Sequence, residues 1–283
     1  MNPLNPPIYS LFYHLNTLNG LLFTLDNQLQ IFEKQYRESI SQSSIDISDI
    51  FAGCRLLIRD LTEWPGEGLV RYYPSGRFSS KGEEYFEVIK IILARESAWT
   101  IAQSLEAFER FLKDISVNML LNQQSIAEPE KLHNFESDRK SNCLKKSDTI
   151  FWKAYFEYHY KTNRDKLKFL RRICPDIGTA ENNNNRVINL KDWFPVVEEV
   201  RHSATHSIFL IKKMRMKDWS KEKREILKKY FSGACTDEGY QLNISKENAT
   251  FCLELFSEYS FQIYKYLSIS NEYDWNILNK KTI

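Results

Sequence analysis

A chain of 283 residues, 42% apolar and 27% charged, holds enough apolar side chain for one large or two small packed domains, which excludes a disordered or low-complexity protein. Its 39 Lys/Arg against 37 Asp/Glu leave a net charge of +2, too small to argue by itself for a nucleic-acid or membrane partner. The five cysteines form no Cys-x2-Cys pair and no zinc spacing, and no stretch reaches the roughly 18 uninterrupted apolar residues of a spanning helix.

The charge is unevenly spread. Residues 1–100 carry 9 Lys/Arg and 12 Asp/Glu, whereas residues 101–283 carry 30 and 25. With no basic region and apolar run behind Met1-Asn2-Pro3, and with scattered, unpaired cysteines, the expectation is a reduced, cytoplasmic protein without a membrane segment.

Residues 1–8 are proline-rich and read as extended. Helical periodicity then runs from Ile8 to Ser39, with a break expected near Asn19-Gly20 and with Leu22, Leu25, Leu29, Phe32 and Tyr36 as its buried stripe. A polar linker from Ser39 to Ser48 leads to a predicted helix over 49–64, which Trp64-Pro65-Gly66 stops. Residues 69–80, with two arginines and a Pro-Ser-Gly turn, fit either a short hairpin or an irregular loop. The long periodic stretch from Gly82 to Gln124 reads as helix with a break or kink around Arg95-Glu96-Ser97. Glu106 and Glu109 on it read as solvent-face glutamates.

Residues 123–148 are polar and read as a long loop, with His133 in solvent. Thr149 to Cys174 reads as one aromatic-rich helix, with His159 packed at the core edge. Pro175 to Asn189 reads as a loop with a mobile asparagine run at 182–185. From about Trp193 to Lys217 the apolar residues Trp193, Val197, Val200, Ala204, Ile208 and Ile211 recur at helical spacing. Helices over 220–231 and 246–269 and a short tail complete the chain.

The chemistry concentrates in Val200-Arg201-His202-Ser203-Ala204-Thr205-His206. Arg201 and His206 lie outside the apolar stripe; His202 and His206, four apart, share one face, and Phe209 follows three residues later on the same face. A guanidinium is a permanent planar cation that fits a phosphodiester. An imidazole gives or takes a proton near neutral pH. Together they suit transesterification at an RNA phosphate. Lys212, Lys213 and Arg215 follow at once and open a run of nine Lys/Arg against three Asp/Glu over 212–229, read equally as a phosphate-binding surface or as a solvated face. Two histidines at i and i+4 are also half of a zinc site, but the His-Glu-x-x-His string is absent and no third ligand stands out beyond Glu199 or Glu198, so no metal is assigned. Nothing in the sequence calls for a cofactor: there is no Gly-rich phosphate loop and no Ser-His-Asp pattern.

Arginine, a polar follower and a histidine after four intervening residues, on a helix of an all-α protein, resemble the HEPN superfamily; the follower here is His202 where that family often has Asn or Asp. The resemblance covers roughly the second two-thirds of the chain. It implies an all-α helical bundle over 81–270, with a helical N-terminal region over 1–80 of unknown role and a tail over 271–283. It further implies a metal-independent endoribonuclease that pairs two motifs in a dimer. Arg201 would sit on the scissile phosphate, His206 would act as general acid or base and His202 would orient the substrate. Phe209 would seal the interface. Some members carry a functional acidic residue on the first bundle helix, which corresponds to Glu106 or Glu109. RNA, a second copy of the chain, and an antitoxin or sensor protein are the implied partners, and a toxin or antiviral effector the implied role. The alternative is a non-catalytic helical module that binds RNA, a nucleotide or a protein partner.

Overall fold

The computed structural model describes residues 2–42, 57–58, 71–72, 82–138, 144–206 and 209–277. The protein is all-α, with one small three-stranded sheet and one two-stranded ladder among the described residues. Its packing divides into two compact units, one formed by 1–22 with 96–283 and the other by 23–95.

Helix α1 runs unbroken over Asn5–Gln42 and α2 over Gly82–Asn122. Neither the break expected at Asn19-Gly20 nor that at Arg95–Ser97 occurs. Pro6 and Pro7 begin α1 instead of forming an extended arm, because the first turn of a helix needs no amide hydrogen from them. Asn2 pins this end: its amide donates to the Tyr264 hydroxyl and to Ser268 Oγ, both at 2.9 Å.

In the smaller unit, Phe86 of α2 packs against Tyr36 and lies under the Arg37 guanidinium, with Leu29 and Ile89 buried. Phe32, expected inside, is exposed, as are Ile91 and Ile92. Two short strands, β1 (Leu57–Ile58) and β2 (Arg71–Tyr72), pair antiparallel. They overturn the predicted helix at Leu57–Ile58 and give the predicted hairpin segment a different partner. The rest of 49–64, with 43–48 of the linker and 73–80, lies outside the described residues.

In the larger unit, α2 is the central element. Phe108 packs on Phe194, Phe256 and Tyr259 with ring centroids 5.2–5.5 Å apart, and Leu105, Leu112 and Ile115 are buried with it. Trp99, expected inside, is exposed. The stretch read as a loop after α2 holds a 3-10 turn and helix α3 (Pro129–Asp138), which Phe135 anchors among Phe151, Tyr155 and Tyr158. The single helix expected over 149–174 is two, α4 (Thr149–His159) and α5 (Asn163–Ile173). Thr162 splits them: its hydroxyl and the Asp165 carboxylate form a capping box that starts α5. His159 is half-buried as expected, and its Nε2 donates to the Lys131 carbonyl at 2.9 Å.

Helix α6 (Pro175–Ala180) follows, with proline in its first turn. The asparagine run after it is anchored: Asn184 donates to the carbonyls of Glu181 and Ile188, and Val187 takes a positive φ of 54°. Helix α7 (Leu190–His206) buries Trp193, Val197 and Val200. It stops eleven residues before the predicted end. Phe209 lies beyond it at φ 63°, its amide donating to the Ser203 carbonyl at 3.1 Å, and β3 (Leu210–Lys212) begins. Ile208 lies outside the described residues.

Helix α8 (Lys221–Tyr230), strands β4 (Gly233–Cys235) and β5 (Gly239–Leu242) and helix α9 (Lys246–Ser270) complete the unit. The antiparallel sheet runs β3-β5-β4. A Cβ on Gly239 would stand 2.0 Å from the Ile211 carbonyl oxygen, so the close approach of β5 to β3 requires glycine there. Among the described residues no helix is long and apolar enough to cross a membrane.

Candidate functional site

Helix α7 carries the motif in its last two turns. The buried side, through Val197, Val200 and Ser203, fixes the helix against the core and turns Arg201, His202 and His206 outward. His206 is exposed and His202 partly so, and their ring centroids are 4.9 Å apart at a 47° tilt. Phe209, expected on this face, is not on it, because the helix ends at His206.

Arg201 faces α2. One of its terminal nitrogens donates to Glu106 at 3.4 Å, a long contact between partly exposed groups. Its Nε is enclosed and meets no acceptor. A buried guanidinium N–H without a partner is uncommon, and it leaves the arginine with donor capacity that its neighbours do not use.

One turn earlier on α7, Glu198 belongs to a polar cluster. The Asn163 amide, 7% exposed, donates to both Glu109 and Glu198, and its carbonyl accepts from Lys166 at 3.0 Å. Burial pushes the Glu198 carboxyl above its ordinary range, and the nearby Glu109 carboxylate adds to it. Burial likewise lowers the Lys166 ammonium. Glu106 and Glu109, read as solvent-face glutamates, therefore tie α2 to Arg201 and to the Asn163 cluster. Going up α2 from 106 to 109 goes down α7 from 201 to 198, so the two helices run antiparallel along the site.

Lys212 lies on β3, with Lys213, Met214 and Arg215 in the turn that follows, all exposed. Arg215 makes a bidentate contact with Glu199 at 2.9 and 3.0 Å. The exposed faces of α7 and of this turn are thereby joined at Glu199.

The His202 imidazole is lowered from its ordinary value, first by burial and then by the Arg215, His206 and Arg201 charges, against which Glu199 raises it. A depressed histidine favours the folded state while neutral: that contribution is present above the unfolded pKa of about 6.5 and fades as pH falls below it. Arg215→Ala is expected to raise the His202 titration midpoint, since it removes a cation and frees the Glu199 carboxylate. Glu199→Gln is expected to lower it. Histidine side-chain NMR through a pH series reads both shifts, and movement in the same direction would contradict the assignment.

Among the described residues, no group of three or more His, Cys, Asp or Glu side chains could hold a metal ion. The partner missed in the sequence is Asn163, toward which only the Thr162–Asp165 capping signature at the start of α5 pointed; Glu106 was named there through the family resemblance, and Glu198 and Glu199 as candidate metal ligands, none of them as the ion-pair or hydrogen-bond partners they are. No family model, curated protein or solved structure matches the chain.

Proposed function

We propose that the chain is a metal-independent endoribonuclease of the HEPN type that works as a dimer, in the cytoplasm, as a toxin or antiviral effector held by an antitoxin or sensor. The observation that carries the reading is two imidazoles with ring centroids 4.9 Å apart on the outward side of α7, next in the chain to Arg201, whose guanidinium is partly exposed. Arg201 meets the charge that builds on the phosphoryl oxygens, and a histidine moves the proton. Its long contact with Glu106 is one that a phosphate can replace. Lys212, Lys213 and Arg215 extend the cationic surface along which an RNA backbone would lie.

A second reading has its own observation. Both arginines of the site already hold carboxylates, Arg201 with Glu106 and Arg215 with Glu199. That pairing suits a non-catalytic module that docks RNA, a nucleotide or a protein on the same face. The experiment that separates the two is incubation of the purified chain with a mixed RNA pool in EDTA. The enzyme reading expects new ends bearing 2',3'-cyclic phosphate and 5'-hydroxyl, with rates that fall as salt rises. Intact RNA that is nevertheless bound would leave the module.

A further inference from the structure

We propose that His202 is the general base and His206 the general acid of a single in-line transesterification, so that each chain carries both proton-transfer groups. This rests on the ribonuclease reading above and gives His202 a chemical role in place of an orienting one.

Cleavage of RNA without a metal needs two proton transfers on opposite sides of one phosphorus. His202 takes the 2'-hydroxyl proton, and the 2'-oxygen forms its bond to phosphorus. The bond from phosphorus to the 5'-oxygen breaks, and a protonated His206 gives that oxygen its proton. The products are a 2',3'-cyclic phosphate and a 5'-hydroxyl. The proton gained by His202 and that lost by His206 are restored through water, so no oxidant, reductant or co-reactant enters.

The geometry suits this division. The two rings lie one helical turn apart with centroids 4.9 Å from each other. That is comparable with the roughly 3.5–4 Å between the paired metal ions that clamp the attacking and leaving oxygens of other in-line displacements. Arg201 adjoins His202 in the chain, and its guanidinium is partly exposed, held only by the long 3.4 Å contact with Glu106. The two histidines differ in surroundings. His202 is flanked by Glu199, Arg201 and His206 on α7 and by Arg215 from the turn after β3. Partial burial and three of those cations favour its neutral, proton-accepting form; Glu199 alone opposes them. His206 is exposed in the last turn of α7, one helical turn beyond His202 and clear of the Glu199–Arg215 pair. Two like groups set in unlike environments are the usual means by which one site holds an acid and a base at the same pH.

The test compares an RNA oligonucleotide containing a mapped cleavage site with the same oligonucleotide carrying sulfur in place of the bridging 5'-oxygen there. A thiolate leaves without a proton, so loss of the acid matters little on the sulfur substrate while loss of the base still does. On the ordinary RNA, His202→Ala, His202→Asn and His206→Ala should each lose about 10²–10⁴-fold. On the sulfur substrate His206→Ala should regain about 10²-fold or more, whereas neither His202 variant should recover. The partly or fully exposed positions of both side chains keep the fold intact, which circular dichroism checks. Wild-type rates in His202→Ala, or rescue of the His202 variants by sulfur, would overturn the assignment while leaving the ribonuclease reading standing. Failure of the wild type to cut either substrate would sink both.

Discussion

His206→Ala is expected to slow RNA cleavage by about 10²–10⁴-fold and to leave the stability of the fold within about 0.5 kcal/mol. The separation of the two effects follows from where the side chain stands. His206 is exposed in the last turn of α7, and its ring packs on nothing but the His202 imidazole among the ring contacts of the described residues. Truncating it opens no cavity and strands no buried donor, which are the causes of large destabilisation. The proposed catalysis has no such tolerance, because a guanidinium is a permanent cation that meets charge without moving a proton. The comparison to make is single-turnover cleavage beside a urea melt of the same preparation. Equal cleavage by wild type and variant would assign any activity to another site or to a contaminant. An unfolded variant would mean that the outward face of α7 is not the solvated surface described above.

Much of the architecture could be read from periodicity. Helices α8 and α9 fall almost where the pattern puts them, because Ser220 and Ser245 cap their first turns and apolar residues repeat without interruption. The failures have local causes. Helix α3 rests on little more than Leu132 and Phe135, too few apolar positions to show a period over ten polar residues. The apolar rhythm of 149–174 continues through Tyr160, so the capping box at Thr162 that divides it is masked by its own surroundings. Ile211 prolongs the period of α7 by coincidence: it is buried, but from a strand that pairs with Tyr240 across the small sheet. Strands of three or four residues give too short a pattern to outweigh a neighbouring helix.

The candidate site divides in the same way. Arg201, His202 and His206 were visible because their chemistry and their spacing lie within one helical turn and a half. The contacts that hold them were not, although Glu106 was named through the family resemblance. Glu106 lies 95 positions away on α2, and the Asn163 bridge joins carboxylates from α2 and α7 through a residue of α5. Such contacts are set by how helices pack, and side chains of common polar types carry no local mark of it. The fixed asparagine loop is a further case: four polar residues in a row read as mobile, yet Asn184 uses both ends of its amide to close the turn.

The largest effect on stability is expected at Glu181. This carboxylate is fully buried, at 0% exposure, between α6 and the turn that leads to α7. It holds the Arg171 guanidinium in a fork at 2.7–3.0 Å and accepts from the Tyr259 hydroxyl, while its backbone carbonyl receives the Leu190 amide at the first residue of α7. Glu181→Ala would leave a half-buried arginine without its counter-charge and a fully buried phenol without its acceptor. Breaking one side of such a pair costs about 3–5 kcal/mol, against a total of about 5–15 kcal/mol for a domain, so the urea midpoint should fall steeply. Glu181→Gln keeps the shape but not the charge, and should fall between. Arg171→Met with Glu181→Leu separates the penalty of a stranded charge from the worth of the pair: replacing both partners by apolar groups of similar size should recover most of the loss. If the double variant is as unstable as Glu181→Ala, the ion pair contributes stability outright, and its desolvation is not the dominant cost. The cleavage rate per folded molecule discriminates further. Because Glu181 touches the start of α7 and none of Arg201, His202 or His206, the folded fraction of Glu181→Ala should keep whatever RNA cleavage the wild type shows; a lower rate would mean that the seating of the first turn of α7 is transmitted along the helix to the Arg201–His206 end.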